Sequence, residues 1–186
     1  MKRHIIITSK NGNNYFYLEQ LMAGVFLEDF SCFIKEYNDY LINDSLRSQD
    51  DHIALTWLLR DLSSEKIVSY MSIINDAIKL SVTEKSFHNL NYPFKTIPAM
   101  KIAKLAVSQD FMEIYKGVGS FMITLAESFA RKCNINYSAC RFLTVDADIE
   151  HNAEVLSFYE KNGFILNSEA QSKNRKTLSM RKDIFA

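Results

Sequence analysis

The chain has 186 residues, with 22 basic and 22 acidic side chains, and therefore no net charge. This length suffices for one domain with a substantial buried core, and we expect a single domain over residues 1–186. A neutral chain has no bulk electrostatic attraction to nucleic acid or to an anionic membrane. No apolar stretch approaches the ~20 residues of a membrane span. The three cysteines form no CxxC pair, which favours a reducing, cytoplasmic compartment over a disulfide framework.

The first part of the chain is predicted to be mainly helical. Residues 3–9 are apolar and are followed by turn-forming residues, a pattern typical of a short strand. Apolar side chains then recur at helical spacing over residues 15–28 and again over residues 30–48. We therefore expect residues 1–50 to form a helical lead-in to the rest of the fold.

Strands are predicted to dominate the middle of the chain. Residues 52–59 and 66–74 are rich in β-branched and aromatic side chains, and the turn-forming segment 61–65 separates them, which predicts a hairpin. Residues 77–82 are expected to add a third strand to this antiparallel meander. Residues 83–96 form a connector with room for a short helix.

Strands and helices alternate in the last part of the chain. The patterns predict a strand at 99–107 after Pro98, a helix at 118–133, a strand at 141–147, a helix at 152–162, and strands at 164–167 and 176–181. This order indicates an α/β (α+β) domain with a mixed central β-sheet flanked by helices. The antiparallel meander would precede a strand–helix–strand core.

A glycine-bearing turn leads into the strongest predicted helix. The strand that contains Leu105, Ala106 and Val107 is followed by Lys116-Gly117-Val118-Gly119-Ser120. Glycines let backbone amides approach a ligand, and a helix start adds unpaired amides and a partial positive charge. These features suit a pyrophosphate. A lone Gly-x-Gly is also common in ordinary turns, and this one is neither a P-loop nor a dinucleotide fingerprint.

A second motif follows the next predicted strand. Asn152 comes where a helix is expected to start, so it is a candidate N-cap. Tyr159 lies in the last turn of that helix, and Gly163 follows where a helix end needs a left-handed residue. By itself, Tyr159 is equally well explained as a partly buried amphipathic aromatic.

The order and spacing of these pieces resemble the GNAT superfamily of acyl-CoA N-acyltransferases. The resemblance is carried by IPAMKIAKLAVS (97–108), YKGVGSFMITLAESFA (115–130) and RFLTVDADIEHNAEVLSFYEKNGF (141–164). It implies that residues 97–164 are the acyl-CoA-binding core. Residues 1–50 resemble the family less and would lie on the acceptor side.

The resemblance further implies an N-acetyltransferase that transfers the acetyl group of acetyl-CoA directly to an amine, without a metal. Residues Leu105, Ala106 and Val107 would offer backbone groups to the acetyl carbonyl and the pantetheine. The pyrophosphate would be held by Lys116, Gly117, Val118, Gly119 and Ser120. Asn152 would face CoA, and Tyr159 would be the general acid that protonates the departing thiolate.

Two positions depart from the family pattern. Ile114 stands where the pyrophosphate loop usually begins with Gln or Arg, and Val155 stands where a small residue is usual. Because backbone amides do much of the work of such a loop, we expect CoA binding to persist despite Ile114.

The sequence leaves the acceptor and the general base open. A small-molecule or protein amine is the favoured acceptor, and the alternatives are the amino group of an aminoacyl-tRNA, as in GNAT toxins, or a non-catalytic acyl-CoA-sensing module. Homodimers are frequent in the family, although nothing here marks an interface. Candidate bases are His88, Asp146, Asp148 and His151. The C-terminal basic residues, which fit a solvated face or a phosphate-bearing ligand, are Lys173, Arg175, Lys176, Arg181 and Lys182.

Overall fold

A computed structural model describes residues 4–8, 14–167 and 176–186. Its strands are β1 (His4–Thr8), β2 (Asn14–Gln20), β3 (Leu55–Asp61), β4 (Ile67–Lys79), β5 (Thr96–Val107), β6 (Phe142–Asp148), β7 (Ile165–Leu166) and β8 (Thr177–Asp183). Its helices are α1 (Lys35–Asp39), a π-helix (Tyr40–Asp44), α2 (Ser45–Asp50), α3 (Val82–Phe87), α4 (Val118–Asn136) and α5 (Val155–Lys161). Within these residues, no helix has the length and apolar character needed to cross a membrane.

The chain forms two compact units. The first consists of Met1–Ile74 and Ala103–Met122, and the second consists of Asn75–Ile102 and Ile123–Ala186. Three elements, β4, β5 and α4, run from one unit into the other along the chain.

The first unit contains an antiparallel meander of β1, β2, β3 and β4. Leu18 of β2 pairs with Leu59 of β3, and Leu58 of β3 pairs with Tyr70 of β4. Apolar side chains from these strands, from the connection 21–34 and from the helical segment 35–50 form one core, which includes Leu21, Phe30, Leu41, Leu58 and Tyr70. Removing these side chains from water is the main favourable contribution to the stability of this unit.

The helix predicted over residues 15–28 is wrong. Residues Asn14–Gln20 form β2 instead, and turns follow. Tyr15, Phe16 and Tyr17 are aromatic residues that favour a strand, and pairing with β3 supplies their backbone hydrogen bonds. The short helical spacing of Leu18 and Leu21 did not outweigh that pairing. The lead-in therefore contains two strands as well as the helices that were expected near 30–48.

The third meander strand predicted at residues 77–82 is also wrong. Strand β4 continues without a break to Lys79, and α3 begins at Val82. The other middle elements agree with the prediction. Asp61 accepts the turn-closing hydrogen bond from the Glu65 amide at 3.0 Å, and α3 is the short helix expected in the connector.

The parallel strand pairing of the predicted strand–helix–strand arrangement lies in the second unit. Strands β5 and β6 are parallel, with register pairs from Ala99↔Phe142 to Ile102↔Val145, and α4 connects them in the chain. Strand β8 pairs antiparallel with β6 and with β7. The apolar core of this unit includes Ile78, Leu80, Ile97, Ala99 and Phe142. The chain thus has the predicted mixed α/β architecture.

A buried polar network surrounds Arg181 in the second unit. This side chain is 2% exposed and donates hydrogen bonds to Glu84 and to Asn167, each at 2.8 Å. His88 lies 3.3 Å from the Arg181 Nε and 3.0 Å from Asp183. Burial and the neighbouring Arg181 charge lower the pKa of His88. His88 is therefore neutral near pH 7 and stabilises the network through hydrogen bonds.

Candidate active site

The end of β5 presents different backbone groups to its two edges. Ser69 Oγ donates a hydrogen bond to the Ala106 carbonyl at 2.7 Å, and the Ser108 amide donates to the Val68 carbonyl at 2.8 Å. Successive residues of a strand direct their backbone groups to opposite edges. The amides and carbonyls of Leu105 and Val107 therefore face away from β4. The Ala106 carbonyl, by contrast, is already bound within the fold.

Residues 117–120 form the N-terminus of the 19-residue helix α4. Gly117 has a φ of +81°, and its carbonyl accepts the Phe121 amide at 3.0 Å. That hydrogen bond is the first of the helical i→i−4 series, so the amides of Val118, Gly119 and Ser120 precede the first intrahelical donor. The helix dipole adds a partial positive charge at the same place. The predicted turn thus has the backbone arrangement of an anion site.

Lys116 adds a cationic side chain beside this helix start. Its Nζ lies 2.6 Å from Glu113 Oε2, and the two side chains are 70% and 88% exposed. An exposed ion pair is worth little because water screens it. The Lys116 ammonium can therefore exchange Glu113 for a phosphate at small cost. Ile114 is 64% exposed and offers no polar group.

Asn152 precedes the helix of the second motif but does not cap it. Helix α5 begins at Val155 with Glu154 as its N-cap, so the N-cap role considered for Asn152 is wrong. Its Oδ1 accepts a hydrogen bond from the Glu154 amide at 3.0 Å. This bond closes the turn that leads into α5, and the Asn152 residue itself is exposed.

Tyr159 is fixed by aromatic packing in the second unit. It is 8% exposed, and its ring centroid lies 5.1 Å from that of Phe158 and 5.3 Å from that of Phe164. Its carbonyl accepts the Phe164 amide at 3.0 Å. Gly163 has the predicted left-handed conformation, with a φ of +84°. This local arrangement sets the position of the tyrosine with little freedom.

The candidate bases all have polar partners. Asp146 accepts a hydrogen bond from Lys101 at 3.0 Å. Asp148 and His151 lie 2.9 Å apart, and His88 belongs to the buried Arg181 network. Burial opposes a charged Lys101, but Asp146 and Asp76 outweigh it and raise the lysine pKa. The arrangement therefore singles out none of these groups as a base.

The C-terminal basic residues do not form a free cationic patch in the part of the chain that the structure describes. Arg181 is buried. Lys176 forms an ion pair with Glu150 at 3.0 Å, and Lys182 forms one with Glu127 at 2.7 Å. Lys173 and Arg175 lie outside the described residues. A phosphate-binding role for Arg181 is excluded by its burial.

Two features near the predicted site were missed from the sequence. The Tyr115 hydroxyl donates a hydrogen bond to Asp61 at 2.6 Å, and the Lys104 ammonium lies 4.6 Å from the Tyr37 ring centroid and 5.7 Å from that of Tyr40. Both features join distant parts of the chain, and no local spacing signals them. Among the described residues, no cluster of His, Cys, Asp or Glu could hold a metal ion.

Comparison with solved structures supports the fold assignment. Over 88% of this chain and 93% of the other, the structure resembles AtaT complexed with acetyl-methionyl-tRNAfMet, with a TM-score of 0.72 and 20% identity. AtaTR bound with AcCoA matches 90% of this chain and 94% of its own, with a TM-score of 0.69 and 19% identity. A tyrosine-to-phenylalanine variant of KacT matches 90% and 95%, with a TM-score of 0.72 and 15% identity. No protein-family profile and no curated protein sequence matches the chain.

The chain therefore has the fold of the GNAT-superfamily acetyltransferases. The solved structures that share this fold with the chain include those of AtaT and KacT.

Proposed function

We propose that the chain is an N-acetyltransferase that moves the acetyl group of acetyl-CoA to a primary amine. One observation carries the proposal: the fold matches that of AcCoA-bound AtaTR over nearly its whole length. The backbone at the start of α4 and the buried Tyr159, at the two predicted motifs, are compatible with it. The glycines at 117 and 119 fit a bound pyrophosphate because they add no side chain to the helix start.

In the proposed reaction, the amine nitrogen attacks the thioester carbonyl and forms a tetrahedral intermediate. The amide of Leu105 or Val107, which faces away from β4, would donate a hydrogen bond to the oxyanion. The carbon–sulfur bond then breaks, Tyr159 protonates the departing thiolate, and the amine loses its proton to solvent, from which Tyr159 regains one. Asn152 would contact CoA, and the amides of residues 118–120 with Lys116 would bind the diphosphate.

The acceptor that the comparisons favour is the amino group of an aminoacyl-tRNA. AtaT, whose fold this chain shares, has been solved with acetyl-methionyl-tRNAfMet, a product of that chemistry. The neutral net charge and the ion-paired lysines at 176 and 182 argue for weak binding to a nucleic-acid backbone. An aminoacyl-tRNA panel and a panel of free amines would therefore be assayed side by side.

Replacing Tyr159 with Phe tests the proposed general acid. The variant keeps the ring that packs on Phe158 and Phe164, so we expect an unchanged Kd for acetyl-CoA. Loss of the proton donor should lower kcat by about 10²–10⁴-fold. Acetyl transfer would be followed by mass spectrometry of the acceptor, and acetyl-CoA binding by calorimetry.

Tyr137→Phe is the matched control, because Tyr137 is 87% exposed and should tolerate the change. Unchanged turnover in Tyr159→Phe would refute the acid assignment. Acetyl-CoA binding without transfer to any acceptor in either panel would instead support a non-catalytic acyl-CoA sensor.

A further inference from the structure

Tyr115 comes directly before the segment that is proposed to hold the diphosphate. Its hydroxyl donates a hydrogen bond of 2.6 Å to Oδ2 of Asp61, at the end of β3. The acceptor lies 54 residues earlier in the chain. The bond therefore links the loop before α4 to the β3–β4 turn within the first unit.

The Tyr115 ring is held as well as its hydroxyl. It makes an edge contact with Phe16 at 4.7 Å between centroids and stacks on Phe111 at 5.8 Å. The Tyr115 amide also donates to the Phe111 carbonyl at 2.9 Å. The neighbouring residues Met112–Ile114, Lys116 and Gly117 are exposed. Tyr115 is thus the point at which the exposed part of this loop is attached to the fold.

The carboxylate that receives this hydrogen bond is itself fixed. Asp61 is 4% exposed, and its Oδ1 accepts hydrogen bonds from the amides and hydroxyls of Ser63 and Ser64 at 2.6 to 3.2 Å. Burial opposes ionisation, but the bonds from Ser63, Tyr115 and Ser64 outweigh it and lower the pKa of Asp61. The hydrogen bond to Asp61 raises the pKa of Tyr115 to about 12. The charge-assisted bond is therefore present throughout the neutral range.

We propose that Tyr115 is a positioning residue whose hydrogen bond to Asp61 holds the amides of residues 118–120 ready for the diphosphate of the acetyl donor. The proposal rests on the proposed function. Its physical basis is preorganisation: a loop that is already ordered loses less conformational entropy when it binds. In this role Tyr115 acts through the backbone that follows it, and its own contacts are with Asp61, Phe16 and Phe111.

Tyr115→Phe tests the inference, because it removes the hydroxyl and keeps the ring on Phe16 and Phe111. We expect KM for acetyl-CoA and Kd for CoA to rise about tenfold, the scale of one charge-assisted hydrogen bond, with kcat at saturation unchanged. Acetyl-pantetheine, which lacks the diphosphate, should react equally well with both proteins. Asp61→Asn should likewise raise KM for acetyl-CoA and leave the reaction with acetyl-pantetheine unchanged. Tyr137→Phe should change neither KM for acetyl-CoA nor Kd for CoA.

The two proposals fail in different ways. If the wild type neither binds CoA nor transfers acetyl, both are overturned. If the wild type binds CoA without transfer, the enzyme proposal fails, and the ratio of CoA to pantetheine affinity still decides the role of Tyr115. An unchanged KM and Kd in Tyr115→Phe would overturn the inference alone. An equal loss with both donors, together with a lower unfolding midpoint, would also overturn it, since that result indicates a merely structural role.

Discussion

Gly117 and Gly24 have the same backbone conformation, but only Gly117 lies at the proposed binding site. Both have a φ of +81°, and a Cβ added to either would meet no atom within 4 Å. An L-residue in this left-handed region costs about 1–2 kcal/mol. Strain rather than a clash is therefore the expected effect of an alanine at each position. Gly117 directly precedes the helix that is proposed to bind the diphosphate, whereas Gly24 lies in a turn after β2.

The two glycines separate the effect of backbone strain from an effect on binding. Gly117→Ala and Gly24→Ala should each lower the free energy of unfolding by about 1–2 kcal/mol, measured in urea. Gly117→Ala alone should also weaken acetyl-CoA binding in calorimetry, because relief of the strain would turn the amides that follow. Equal affinities in the two variants would count against a role for this helix start.

Helix α3 depends on Glu84 for two separate contacts. Ser81 Oγ accepts the Glu84 amide at 3.2 Å, and Glu84 Oε2 accepts the Ser81 amide at 2.9 Å, which is a complete capping box. The other carboxylate oxygen of Glu84, Oε1, accepts a hydrogen bond of 2.8 Å from the buried Arg181. Removing Glu84 would therefore lose a cap and leave a cation buried without this carboxylate.

Glu84→Ala should destabilise the protein by about 3–5 kcal/mol, as expected for breaking a buried ion pair. Ser81→Ala removes the cap alone and should cost about 1 kcal/mol. Urea unfolding of both variants measures the difference. Similar losses in the two would mean that Arg181 finds other compensation in the network.

The elements that could be predicted from the sequence are those with long local patterns. The 19-residue helix α4 shows several turns of amphipathic spacing. The strands predicted before and after it consequently agree with β5 and β6. In residues 15–28, apolar side chains recur at helical spacing over only about two turns. Pairing with β3 therefore determined that residues 16–20 form a strand. The glycine turn before α4 and the left-handed Gly163 after α5 could be predicted because they are local motifs, whereas the Asp61–Tyr115 bond depends on tertiary structure. The role of Tyr159 is implied by the family resemblance and stays a prediction.

The two compact units share three elements of the chain, and this bears on whether they unfold together. Each has its own apolar core, yet β4, β5 and α4 each contribute residues to both. Unfolding one unit would break the continuity of three elements that the other needs. We therefore expect one cooperative transition, as predicted for a single domain over residues 1–186.

The single tryptophan provides the measurement. Trp57 belongs to the first unit, so its fluorescence reports on that unit, while far-UV circular dichroism reports on the helices and strands of both. The two urea transitions should coincide in midpoint and slope. Distinct midpoints would show that the units behave as separate domains.

Strand β7 has a consequence for self-association of the folded protein. It has two residues, Ile165 and Leu166, and it ends the strand order β6-β8-β7 of the described second unit. Outer strands present free amides and carbonyls that a foreign chain can extend, and short outer strands limit that risk. The pair is apolar, at 41% and 39% exposure, but it offers too little backbone to template amyloid-like growth.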